Sequence, residues 1–184
     1  GGLDDLLGFA AIGRDPKTRE WLCWCHAWAH EIAVSRRKSE ESRFNDFVKA
    51  GDLTIVKRVG QDTEDVAEYV SRIYAAELLD KIGIDPSGVG QILDALIEAE
   101  IPADSVVKTT ERKLAEGVLI HGGQPLMAWC VGNARVEPKG NAILITKQAS
   151  GKGKIDPLMA LFNSVSLMAL NPEAKKQDYQ VHFI

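Results

Sequence analysis

The chain has no apolar run of eighteen residues or more, so nothing in it reads as a membrane-spanning helix, and no charged-then-apolar leader marks it for export. It has only three cysteines, Cys23, Cys25 and Cys130, an odd number set in apolar sequence, which suits reduced, buried thiols better than a disulfide framework. Excess positive charge is also missing: 22 basic against 26 acidic residues give a net charge of −4, which excludes a uniformly basic, nucleic-acid-coating surface but permits a local basic groove. There is no internal repeat and no low-complexity tract. Ser150-Gly-Lys-Gly-Lys154 lacks the G-x-x-x-x-G-K-[ST] spacing of a phosphate loop, and no other stretch supplies an ATP-binding motif. With 184 residues and 45% hydrophobic content, one well-buried domain spanning 1–184 is expected.

Acidic residues stand at the edges of the predicted elements. Lys81-Ile-Gly-Ile-Asp85-Pro-Ser-Gly reads as a strand, Leu78 to Ile84, that ends in a carboxylate and a turn. A helix with Val89, Ile92, Leu93, Leu96 and Ile97 on one face follows. Gly153-Lys-Ile-Asp156-Pro opens a second helix, with Leu158, Leu161, Phe162, Val165 and Met168 on one face. Asp4 and Asp5 precede an apolar strand, Leu6 to Ile12. An Asp before Pro is ordinarily a turn starter, but three acidic points at element edges, far apart in sequence, fit a divalent-metal site assembled by the fold.

Between these points, Glu20 to His30 alternates Trp21, Cys23, Cys25 and Ala27 with Leu22, Trp24, His26 and Trp28, as expected of a central strand covered on both faces. Cys23-x-Cys25-His26 with His30 lacks the knuckle spacing of structural zinc sites. Ser35-Arg-Arg-Lys38 reads as a solvated connector, Phe44, Phe47 and Val48 as one face of a helix ending at Gly51, and Leu53 to Val59 as a strand. A helix capped by Asp62 or Thr63 is expected to bury Val66, Val70, Ile73 and Tyr74. Val106-Val107 reads as a short strand before a polar helix from Thr110 to Glu116. His121-Gly-Gly-Gln-Pro125 is a loop leading into a helix or turn through Trp129, and Asn141 to Gln148 is a strand.

Together, Gly83-Ile-Asp85-Pro-Ser-Gly, His121-Gly-Gly-Gln-Pro-Leu-Met-Ala-Trp-Cys-Val-Gly-Asn133, Asn141-Ala-Ile-Leu-Ile-Thr-Lys147 and Lys154-Ile-Asp-Pro-Leu-Met-Ala-Leu161 resemble the C-terminal nuclease domain of phage large terminase subunits. The resemblance covers nearly the whole chain. It implies an α/β, ribonuclease-H-like fold with a central mixed β-sheet flanked by α-helices. It also implies a two-metal endonuclease, using Mg²⁺ or Mn²⁺, that cuts concatemeric double-stranded viral DNA during packaging. Asp85 matches the family's middle acid, Asp156 its final one, and Asp5 the Asp that follows its first. Asp4 is a substitute for a first acid expected upstream of Gly1, together with part of the first strand and an N-terminal ATPase domain. His121 is a candidate assisting residue, and Lys147, Lys152 and Lys154 are candidate phosphate contacts. The implied partners are the ATPase domain, the small terminase subunit and the portal ring, in the host cytoplasm and outside the mature virion. A noncatalytic docking or DNA-guiding module and a junction resolvase are the alternatives.

Overall fold

A computed structural model describes residues 5–83, 103–139, 142–147 and 153–173. The order of elements is β1 (Leu6–Arg14), β2 (Trp21–His30), α1 (Glu31–Arg36), a 3₁₀ turn (Lys38–Glu40), α2 (Glu41–Lys49), β3 (Leu53–Val56) and α3 (Gln61–Ala75). Then come α4 (Ala103–Ala115), β4 (Leu119–His121), α5 (Pro125–Asn133), β5 (Ala134–Lys139), β6 (Ala142–Lys147) and α6 (Asp156–Ala169).

The alternation of Trp21 to His30 makes β2 the centre of a mixed sheet. Strand β1 pairs with it antiparallel from Leu6 opposite Ala29 to Arg14 opposite Trp21. The other edge of β2 is shared by two short parallel strands, β4 along Trp21–Cys23 and β3 along Ala27–His30. Strands β5 and β6 form a separate antiparallel hairpin.

On one face of the sheet, Leu6, Ala27 and Ala29 pack against Phe44 and Phe47 of α2, Leu126 and Cys130 of α5 and Leu158 of α6. The same face continues through Trp21 and Cys25 to Val106 of α4 and Leu161 and Val165 of α6. Removing this apolar surface from water is the main force that holds the helices on the sheet. On the opposite face Phe9, Trp24, His26 and Trp28 form an aromatic group that meets Tyr69 of α3. The central strand is thus covered on both faces as expected, although Leu22 and Trp24 at its first half remain exposed.

Several expectations are corrected. Val106 and Val107 lie within α4, where they pack against α6 and against Ile145, Ile155 and Met159, so tertiary contacts override their β-branched preference. Residues 78–83 form no strand, and Ile84 lies outside the described residues, as does the helix expected at Val89 to Ile97. Helix α3 begins after Gly60 rather than at a side-chain cap, and none of its expected stripe is fully buried: Val66, Val70 and Ile73 are half-buried and Tyr74 is exposed, while Tyr69 turns to the sheet. Of Ser35 to Lys38, expected as a connector, Ser35 and Arg36 close helix α1 and Lys38 opens the 3₁₀ turn. Strands β4 and β5 were not expected at all. Cys25 and Cys130 are buried free thiols and Cys23 is half-buried, as the sequence suggested. Burial pushes the Cys25 thiol up to about 12, which leaves it inert as a nucleophile. No helix among the described residues is long and apolar enough to cross a membrane.

Candidate active site

Helix α6 lies along β1, and this contact creates the site. A Cβ placed on Gly8 would come within 2.5 Å of the Asp156 carbonyl carbon and 2.6 Å of the Pro157 nitrogen, so the absence of a side chain at Gly8 lets the helix start touch the strand. Further along, Ser164 Oγ donates to the Ala10 carbonyl at 3.0 Å, and Arg14 Nη1 donates to Asn171 Oδ1 at 2.6 Å. The first residue of α6, Asp156, is thereby held near the start of β1, where Asp5 sits.

The approach to α6 is equally constrained. Asn133, the last residue of α5, donates from Nδ2 to the Lys154 carbonyl at 3.1 Å. Gly153 packs on the same side chain so closely that a Cβ there would lie 2.8 Å from Asn133 Cγ. Ile155 is fully buried against Ile145 and Met159. The Trp-Cys-x-x-Asn and Lys-Ile-Asp motifs, separate in sequence, are therefore two halves of one anchored turn.

Lys154 is buried, and its ammonium group donates to Asp5 Oδ1 in a short ion pair; the same oxygen accepts from the Leu6 amide at 3.2 Å. Burial alone would raise the Asp5 carboxyl, but the hydrogen bond and charge of Lys154, the charge of Lys147 and the Leu6 amide together hold it below its ordinary value. Asp156 goes the other way: burial first, then the neighbouring charge of Asp5, pushes its carboxyl up against the opposing effect of Lys147 and Lys154. Its Oδ2 is buried with no hydrogen-bond partner among the described residues. A buried carboxylate oxygen without a donor is costly, and a hard cation that favours oxygen ligands would satisfy it.

Of the expected site residues, Asp5, Asp156, Lys147 and Lys154 come together. Asp4, Asp85 and Lys152 lie outside the described residues, within which no group of three or more His, Cys, Asp or Glu is disposed to hold a metal. Lys154, expected at a DNA phosphate, is instead turned inward on Asp5.

His121 is not brought to this cluster. It pairs with Cys23 on β2, whereas Asp5 adjoins Leu6 opposite Ala29, six residues further along the same strand and thus about 20 Å away at ~3.3 Å per residue. Its Nδ1 accepts from the Gly123 amide at 3.1 Å and shapes the turn.

What that motif does instead was not expected. Gln124 Oε1 accepts from the Cys25 amide at 3.0 Å and its Nε2 donates to the Cys25 carbonyl at 2.8 Å, in the gap that β4 and β3 leave on the edge of β2. The buried carboxylate of Asp52 accepts from Gln124 Nε2 at 2.8 Å and from the Leu126 amide at 3.1 Å at the start of α5. A polar residue placed just before Pro125 at a helix start was the only sequence signal for this role.

No protein-family profile matches the chain. Protein YmfN of Escherichia coli strain K12 is 23% identical over 159 residues, which cover 80% of this chain and 34% of that protein. In three dimensions the chain is similar to a crystal structure of the large terminase of bacteriophage HK97, with a TM-score of 0.64, 18% sequence identity, and coverage of 89% of this chain and 37% of that one. The chain thus spans about a third of the length of both proteins. The likeness to the HK97 protein is one of fold, and with a mixed sheet flanked by helices the chain has the terminase-like, ribonuclease-H-like α/β fold expected from its sequence.

Proposed function

We propose that the chain is a metal-dependent endonuclease that cleaves concatemeric double-stranded DNA during viral genome packaging. The observation that carries this reading is the convergence of Asp5 and Asp156 at the seam of β1 and α6, where the buried Oδ2 of Asp156 has no hydrogen-bond partner among the described residues. Asp156, Asp5 and, beyond the described residues, Asp85 are the carboxylates that would hold Mg²⁺ or Mn²⁺. A bound divalent cation supplies charge stabilisation to the attacking and leaving oxygens of an in-line phosphodiester hydrolysis. The chain's own residues supply the rest. The Gly8 seam and the Asn133 anchor fix Asp156 in place, and Lys147 at the end of β6 adds positive charge beside both carboxylates, where a DNA phosphate would approach. The likeness in fold to the HK97 large terminase supports a packaging context; an ATPase domain, a small terminase subunit and a portal ring, in the host cytoplasm, are the partners that the sequence resemblance implies.

The test is nicking of supercoiled plasmid in Mn²⁺ by the chain and by Asp156→Asn. Nicking by the first, abolished by chelator and absent from a variant that still unfolds cooperatively, is the expected result. Retained cleavage by Asp156→Asn would remove this site from consideration. A second reading, a noncatalytic DNA-guiding module, is favoured by the ion pair that already occupies Asp5. It requires DNA binding with no nicking in any divalent metal.

A further inference from the structure

We infer that the ammonium group of Lys154 fills one of the two cation positions expected in this site, so that the chain binds a single divalent ion, on the Asp156 side. This rests on the nuclease reading above, and it replaces the two ions that the sequence resemblance implies by one, with Asp5 held by Lys154 in place of a second metal. The two carboxylates are not equivalent. Asp5 Oδ1 already accepts two hydrogen bonds, one from the Lys154 ammonium and one from the Leu6 amide, whereas Asp156 Oδ2 is buried and accepts none among the described residues. One carboxylate is paired with a cation of the protein itself, and one oxygen of the other has no hydrogen-bond partner among the described residues.

Lys154 is also unlike a surface lysine that swings aside when an ion arrives. Its side chain is 8% exposed. Its carbonyl is tied to Asn133, Gly153 before it is wedged against the same asparagine, and Ile155 after it is fully buried. Expelling the ammonium would take its counter-charge from the half-buried Asp5 and leave an unpaired ammonium among the residues that bury Lys154. Electrostatics points the same way. Lys147 and Lys154 both act on both carboxylates, so two dications would join two fixed positive charges around Asp5 and Asp156. One dication on Asp156, with Lys154 on Asp5, needs no such crowding, and an ammonium group and a metal ion can flank a transferring phosphoryl group as a pair of cations.

The test is Mn²⁺ stoichiometry in the absence of DNA, read by electron paramagnetic resonance of the free ion, for the chain and for Lys154→Met, Lys154→Arg and Asp156→Asn. One Mn²⁺ per chain is expected for the wild type and for Lys154→Arg, at least tenfold weaker binding for Asp156→Asn, and a second equivalent for Lys154→Met. Two ions on the wild type, or still one on a folded Lys154→Met, would overturn the inference and leave the nuclease reading standing. No ion on the wild type would sink the metal site and both readings of it. Should Lys154→Met fail to fold, amine labelling of the wild type decides: Lys154 stays protected when Mn²⁺ is added, and its exposure by saturating Mn²⁺ would mean that a metal displaces it.

Discussion

The side-chain amide of Gln124 bonds both the amide and the carbonyl of Cys25, and so stands in for a strand residue between β4 and β3. Backbone groups in the middle of a sheet must be paired, and here a side chain from a helix-capping turn pairs them. Gln124→Ala should leave both Cys25 groups and one oxygen of Asp52 short of a partner and cost about 2–4 kcal/mol, several unsatisfied groups at ~1–3 kcal/mol each being partly relieved by water. Denaturant unfolding measures it. A loss under half a kcal/mol would mean that the bridge is replaceable.

Gly8→Ala should be among the more damaging single-methyl additions in the chain. The new Cβ meets backbone atoms of Asp156 and Pro157, which cannot rotate away, so strand and helix must separate at the site. We expect about 1–3 kcal/mol of destabilisation and a larger proportional loss of Mn²⁺ affinity. Gly13→Ala, where a Cβ meets nothing within 4 Å, is the control.

Asp156→Asn should stabilise the metal-free chain at neutral pH. Its carboxyl is raised in the folded state, so whatever stability protonation contributes is fully present below the unfolded value and is lost as pH rises through the folded one. The melting temperature of the variant should therefore exceed that of the wild type at pH 7 without metal, and the two should converge towards pH 3. Saturating Mn²⁺ should reverse the order at pH 7. A variant less stable than wild type at pH 7 without metal would contradict the burial argument.

Asp5→Asn should act in the opposite sense. The depressed Asp5 carboxyl contributes stability above its unfolded value that fades as pH falls through its folded one. Removing it strands the Lys154 ammonium, but Asp5 is 35% exposed and solvent screens the pair, so about 1–2 kcal/mol at pH 7 is expected. Thermal melts of Asp5→Asn and wild type should approach each other as the pH is lowered. A gap that widens in acid would mean that the carboxylate is not what holds Lys154.

The parts of this fold that were legible are those governed by local periodicity. The alternation in Glu20 to His30 made β2 recognisable, and the spacing of Leu158, Leu161 and Val165 placed α6. Where a residue's role is set by a distant neighbour, the local pattern misled or stayed silent. Val106-Val107 looks like a strand because its helical partners are Leu161 and Val165. Leu119–His121 is too short to show a period, and the role of Gln124 exists only because β3 and β4 leave a gap between them. Asp5 and Asp156 were recognisable as acids at element edges, but Lys154 as a buried counter-charge depends on the Asn133 anchor, which no spacing reveals.

The seam between β1 and α6 also bears on how quickly the molecule is built and taken apart. Strand β1 finds β2 across a short turn, whereas Asp5 and Lys154 are separated by 149 residues, and loop closure over such a distance slows the contacts that depend on it. The hairpin is then an early element and the seam a late one. Gly8→Ala, read in a chevron plot, should speed unfolding and leave the refolding rate nearly unchanged, whereas a substitution such as Ala27→Gly in the hairpin should slow refolding. A refolding limb slowed by Gly8→Ala would place the carboxylates together in the folding nucleus instead.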